Sequence, residues 1–152
     1  NTGIESVDMI KGVVDEIKPD LIIAIDALAA RNVNRVTTTI QMSDTGVSPG
    51  AGVGNHRRGI NQDTLGVKVI AIGVPTVITA ASIVYDLLAG YPEKSPHHDK
   101  AKEILEHLPG DMIVTPGNID AVIREFSGIL AGGINQAIHP NLSPKEIQDY
   151  LN

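Results

Sequence analysis

Residues 21–75 read LIIAIDALAARNVNRVTTTIQMSDTGVSPGAGVGNHRRGINQDTLGVKVIAIGVP, and this stretch decides the fold. The apolar run 21–25 is bounded by Asp20 and Asp26, which predicts a short buried strand closing on a carboxylate. Residues 36–42 are rich in Thr, Val and Ile and predict a second strand, with Asp44 just after it. Residues 43–66 are dominated by Gly, Asn, Asp and Ser and predict a long loop of the kind that is functional or disordered in compact domains. Residues 67–74 predict a third apolar strand, and Pro75 suits the first turn of a helix carried by residues 77–88. Carboxylates at the ends of buried strands cost free energy unless they are paired or used. Ligands of open α/β sheets sit at those carboxyl ends.

On either side of this stretch the pattern is helical. Ile4, Val7, Ile10, Val13, Val14 and Ile17 recur at helical intervals after a capping-box spacing from Thr2 to Glu5, and Pro19 stops the helix. Gly90, Tyr91 and Pro92 end the helix after the third strand, and residues 90–100 look like an inserted polar loop. A short helix is predicted over 98–108 and a short strand over 112–114. Thr115 and Pro116 look like an N-cap and N1 pair for an amphipathic helix over 119–138, weakened by Gly132 and Gly133. Ser143 to Glu146 is a second capping-box start, leading a last helix to Tyr150. Strands separated by helices favour a layered α/β sheet, and residues 1–152 are expected to form one domain without repeats.

Composition narrows the function. A chain of 152 residues buries roughly 70% of its unfolded surface. Aromatics are 3%, with one Phe and no Trp, so the core is aliphatic, which suits parallel strands and argues against stacking on single-stranded nucleic acid. A net charge of −6 argues against bulk attraction to nucleic acid or an anionic membrane and leaves a cationic protein substrate open. There is no Cys, so disulfides, thiol catalysis and Cys-type zinc sites are absent, and a reducing cytoplasm fits. No apolar run approaches the ~20 residues of a membrane span, and no signal peptide is visible. The first residue, Asn1 rather than Met, suggests a processed product or a fragment.

Asp26 is the leading candidate for chemistry. Desolvation and a neighbouring carboxylate both favour the protonated form of a carboxyl group. Aspartic peptidases use such a pair, one acid and one base sharing a proton, to activate water. The alternative is an Asp that caps the turn 27–31 or pairs with Arg31 or Arg35. Asp44, in Ser43-Asp44-Thr45-Gly46, resembles the Asp-Thr-Gly of pepsin-like enzymes over three residues only. It is either a second carboxylate near Asp26 or an Asx-turn opening the loop.

Gly50-Ala51-Gly52-Val53-Gly54 lacks the spacing of a dinucleotide fingerprint, and no Gly-Lys-Ser/Thr follows, so these glycines serve backbone geometry. His56, Arg57 and Arg58 could hold an acidic group of a substrate, Arg binding carboxylate bidentately, or form a solvated loop tip or oligomer contact. His97, His98 and His107 sit in a polar context that suits a solvated helix start better than a metal site, and His139 is expected to be structural. Neither Gly-x-Ser-x-Gly nor His-Glu-x-x-His occurs, so serine-hydrolase and zincin chemistry are unsupported. No cofactor and no metal is expected.

Four blocks carry a family resemblance: residues 24–31, AIDALAAR; 38–46, TTIQMSDTG; 49–55, PGAGVGN; and 64–77, TLGVKVIAIGVPTV. With MIVTP at 112–116 and INQAIHP at 134–140, they closely resemble the germination proteases of spore-forming bacteria. The resemblance implies an aspartic-type endopeptidase that degrades small acid-soluble spore proteins in the spore core, is made as a zymogen and assembles as a homotetramer. It implies a three-layer α/β/α sandwich around a mainly parallel sheet, like that of the hydrogenase-maturation peptidases. It assigns one member of the catalytic Asp pair to Asp26. The other lies upstream in the family and has no counterpart before Asn1. The expectation is therefore a C-terminal part of a peptidase domain, with N-terminal strands missing, inactive by itself. Two other readings stay open: a non-catalytic assembly fragment, and a nickel-dependent maturation-type peptidase.

Overall fold

A computed structural model describes residues 6–51, 57–109 and 112–151. The chain divides into two compact units, Asn1–Thr115 and Pro116–Asn152. The capping-box spacing from Thr2 to Glu5 lies outside the described residues.

The first unit is an α/β layer. Helix α1 (Ser6–Ile17) ends at Lys18, whose positive φ of 53° turns the chain ahead of Pro19. Strand β1 (Leu21–Ala30) follows, then a 3-10 turn (Val33–Arg35) and the short β2 (Gln41–Ser43). Next come α2 (Gln62–Leu65), β3 (Lys68–Thr79), α3 (Ala80–Leu88), α4 (Pro96–His107) and β4 (Ile113–Val114). The sheet order is β1-β3-β2, with β4 pairing the end of β3. The long β1–β3 ladder is parallel and the short β2 and β4 ladders are antiparallel, so the sheet is mixed.

Several boundaries differ from the sequence reading, each for a physical reason. β1 does not stop at Asp26: it runs on through Ala30, because β3 offers pairing partners as far as Ile78. Pro75 does not start a helix. It lies inside β3 opposite Leu28, and the register slips there, leaving Thr76 as the extra residue. A bulge is where a strand tolerates a residue without an N–H. The helix start moves to Ala80, where the Thr79 side chain accepts from the Ser82 N–H at 3.0 Å.

The strand predicted at 36–42 shrinks to Gln41–Ser43. Ahead of it the Thr38 hydroxyl donates to the Asn34 carbonyl at 2.6 Å and Thr37 takes a φ of 56°. Hydroxyls that bond nearby backbone in this way compete with sheet pairing. Likewise, Thr115 is not a helix cap; its hydroxyl donates to the Thr76 carbonyl at 2.9 Å, tying β4 to the bulge.

The main core cluster of this unit sits on one sheet face, while Ile72 and Val74 of β3 are buried on the other. Val7 of α1 and Leu65 of α2 pack with Ile60 and Val69, and Ile22, Ala24 and Val47 flank them. Side chains alternate along a strand, so Ile22, Ala24, Asp26 and Leu28 share that face. On the other face Leu21, Ile23, Ile25 and the Met42 of β2 stand exposed, Ile25 at 56% and Met42 at 69%. Asp86 of α3 pins the far end of β1. Its carboxylate accepts from the Val33 N–H at 2.7 Å and from Asn32 Nδ2 at 3.1 Å.

The second unit is a helical hairpin of α5 (Ile119–Ile138) and α6 (Pro144–Leu151), in which Ile147 is buried. The Gln136 side chain donates to the Leu142 carbonyl at 3.1 Å across the turn. The predicted capping box is present: Glu146 accepts from the Ser143 N–H at 2.8 Å and from its hydroxyl at 2.7 Å.

Candidate active site

Asp26 lies in the middle of β1, half-buried, on the face that α1 and α2 cover at Ile22 and Ala24. Its Oδ1 accepts from the Ala27 N–H at 2.9 Å. Among the described residues its other oxygen has no hydrogen-bond partner, and neither Arg31 nor Arg35 pairs with it. Across the ladder Asp26 stands opposite Gly73, and Gly73 in turn stands opposite Gln41 of β2. The three positions form one row on one face, with no side chain at its centre.

Leu28, two residues further along β1, leans into that gap. A Cβ at position 73 would meet the end of the Leu28 side chain, so a larger residue there requires Leu28 to move. Beside the row opens a cavity of about 130 Å³, bounded by Leu28, Gln41, Ser43, Val47, Ala71 and Gly73. Leu28, Gln41 and Gly73 were not singled out in the sequence. The one available signal was a Gly inside an apolar strand, which marks a close approach.

Asp44 is exposed and is not brought to Asp26. Ser43 lies opposite Ala71, hence level with Ala24, and β2 runs antiparallel, so Asp44 continues away from Asp26. Two strand spacings, roughly 10 Å, separate β2 from β1. The turn at 43–45 is shaped by Ser43, whose hydroxyl accepts from the Thr45 N–H at 3.1 Å and lies 2.6 Å from the Thr45 hydroxyl.

The Gly-rich loop is pinched at its neck. Val47 and Ile60 exchange backbone hydrogen bonds at 3.0 and 2.7 Å. Gly46, at a φ of 83°, passes so close to the Ile60 carbonyl that a Cβ would lie 2.2 Å from it. Gly52, Val53, Gly54, Asn55 and His56 lie outside the described residues. Arg57 is exposed and makes no ion pair among the described residues. Arg58 donates to Asp8 Oδ1 at 2.7 Å, joining the loop exit to the first turn of α1. The two arginines therefore differ in what holds them.

The histidines lie apart from Asp26 in the chain. His98 Nδ1 is 3.1 Å from the Ser95 hydroxyl, His107 Nδ1 is 2.6 Å from the Glu103 carbonyl, and His97 packs on Tyr91.

A family model described as germination protease matches residues 1–91. The chain is 45% identical over 171 residues to a germination protease of Clostridium perfringens strain SM101, covering 99% of this chain and 53% of that protein. Its identity to the germination protease of Caldanaerobacter subterraneus is 41% over 170 residues, with 99% and 52% covered. For that of Bacillus subtilis strain 168 it is 37% over 199 residues, with 98% and 54% covered. The chain belongs to the germination protease family. It spans about half the length of the curated relatives it matches.

Proposed function

We propose that this chain is the part of an aspartic-type endopeptidase that carries one of two catalytic carboxylates, Asp26. The substrates are small acid-soluble spore proteins, cleaved in the spore core on germination, and the working assembly is a homotetramer. The complete domain is a three-layer α/β/α sandwich of the hydrogenase-maturation-peptidase kind. The exposed face of Leu21, Ile23 and Ile25 supports that reading, since such a sandwich has a second helical layer to cover it.

The observation that carries the proposal is Asp26 itself. It is a carboxylate inside an otherwise apolar strand, with an oxygen unengaged among the described residues, beside a row opened by Gly73 and within the family-matched segment. In the reaction one carboxylate takes a proton from water as the water oxygen attacks the scissile carbonyl. The other protonates the carbonyl oxygen; as the C–N bond breaks, the departing nitrogen takes the proton the first carboxyl gained from water, and a hydroxyl of the tetrahedral adduct returns its proton to the second carboxylate. Asp44 does not supply the second carboxylate, since β2 carries it away from Asp26. Arg57, exposed and free of ion pairs among the described residues, is the better placed of the two arginines to meet an acidic substrate side chain, Arg58 being joined to Asp8.

The test replaces the matched segment of the Clostridium perfringens relative with this chain and follows cleavage of a small acid-soluble spore protein. Cleavage by the chimera that disappears with Asp26→Asn supports the assignment. Cleavage at an undiminished rate by the Asp26→Asn chimera makes Asp26 a structural residue.

A further inference from the structure

We infer that the turn after β1 is an exosite for an acidic segment of a protein substrate, an inference that rests on the peptidase reading above. Arg31 and Arg35 take two carboxylates of that segment, and Val33 between them takes an apolar side chain.

Charge argues for this first. The chain has 18 acidic and 12 basic residues, so acidic partners for its arginines are not scarce. Arg31 and Arg35 are nevertheless exposed and make no ion pair among the described residues. The carboxylate of Asp86 reaches this turn, yet it is engaged by the Val33 N–H and by Asn32 Nδ2. Two uncompensated guanidinium groups on one turn repel each other and favour a ligand that brings a pair of negative charges. Arg holds a carboxylate bidentately, which makes it the suited residue for such a ligand.

Rigidity and shape argue the rest. Asn32 Oδ1 accepts from the Asn34 N–H at 2.9 Å, and the Arg35 and Val36 N–H groups donate to the Asn32 and Val33 carbonyls at 3.1 Å. The Thr38 hydroxyl occupies the Asn34 carbonyl. With Asp86 on the Val33 N–H, the backbone of the turn is tied at every step, and the two arginine heads are left to bind. A surface held in place beforehand loses less entropy when a ligand arrives. Small ions and metabolites are held in concave sites. Here Arg31, Val33 and Arg35 all stand exposed, Val33 at 47%, which suits a length of chain laid across them. Arg31 follows Asp26 by five residues, about 16 Å at ~3.3 Å per residue of strand. A substrate whose scissile bond sits at Asp26 therefore reaches the turn with a segment about five residues away from that bond.

The experiment reads binding first and cleavage second. The 152-residue chain, isotope-labelled at its backbone amides, is titrated at low salt with a blocked aspartate-leucine-aspartate peptide, with its asparagine-leucine-asparagine counterpart and with inorganic phosphate. The expected result is saturable movement of the Val33, Asn34 and Arg35 amide signals by the acidic peptide, reversed by added salt. The uncharged counterpart should need at least ~10-fold higher concentrations. Arg31→Gln and Arg35→Gln should each weaken binding roughly 10-fold and together abolish it. Both replaced side chains are exposed, so the variants should keep a folded spectrum. Unmoved signals, or binding undiminished in the double variant, overturn the inference. So does phosphate that moves the same signals at the same concentration, which would make the turn a site for simple anions. An oligomer of this chain that comes apart only in the double variant would give the turn to a second copy and also overturn it. In the chimera described above, the double variant should raise KM for a small acid-soluble spore protein roughly 10-fold and leave kcat in place. A cleaving chimera with unchanged KM removes the exosite alone. Peptide binding in a chain whose chimera never cleaves upholds the acid-binding turn and removes only the peptidase reading.

Discussion

Asp26 of β1 and Gly73 of β3 stand opposite each other in the parallel ladder, and the absent side chain at 73 leaves room for Leu28 to lean beside the carboxylate. The glycine thus sets the position of a wall as well as a gap.

Gly73→Ala should destabilise the chain by about 0.5–1.5 kcal/mol, the cost of driving Leu28 out of its present rotamer. The added methyl meets Leu28 Cδ1 at 2.3 Å. Thermal unfolding of Gly73→Ala, Leu28→Ala and the double variant checks this. Much of the loss should return in the double variant, and strictly additive losses would show that the two side chains do not compete for one space.

Asp26→Asn in the chimera described above should lower kcat/KM by at least ~10²-fold, the low end for removing a general acid or base. The fold should survive, since Asp26 makes only a local bond to the Ala27 N–H. Circular dichroism beside the kinetics separates lost chemistry from lost structure.

Asp86→Ala should cost about 1.5–3 kcal/mol, as hydrogen bonds to a charged group do. It removes the acceptor of both the Val33 N–H and Asn32 Nδ2. Because these bonds tether the chain just beyond β1, amide exchange at Val33 should accelerate as well. Unchanged exchange there would mean that the 3-10 turn holds without its anchor.

Glu146 gives a pH dependence with a definite sign. The Ser143 hydroxyl, and after it the Ser143 N–H, hold the Glu146 carboxyl below its ordinary value of 4.5. A folded-state value below the unfolded one means that the capping stabilisation is present above about pH 4.5 and is lost as pH falls through the folded value. Unfolding of the native chain and of Glu146→Gln should differ near neutral pH and converge in acid. A gap that stays constant down to low pH would separate the effect from the carboxylate's ionisation.

The helices were more legible than the strand ends. The helix over 119–138 and the Ser143–Glu146 capping box follow from local spacing and side-chain chemistry, both of which are written in consecutive residues. The extent of β1 depends on a partner almost fifty residues away, so Asp26 read as a terminus although it lies mid-strand. Pro75 illustrates the same limit, since a local rule places it at a helix start and the bulge that admits it to β3 is a property of the pair of strands. Asp26 itself was legible because a charge inside an apolar run is conspicuous in any register. Its neighbours Gln41 and Gly73 were not, because only sheet pairing sets three such distant positions side by side.

The neck of the Gly-rich loop has a consequence for how this protein can vary. Val47 and Ile60 clasp one another, and Ile60 is anchored in the core, so the loop is closed at its neck by backbone bonds that no side chain sets. Doubling the length of a flexible loop adds only about 0.6 kcal/mol to its closure cost. The clasp therefore sets the register of the sheet at Val47 and Ile60, and what leaves the loop beyond it is held separately, Arg58 by Asp8 of α1.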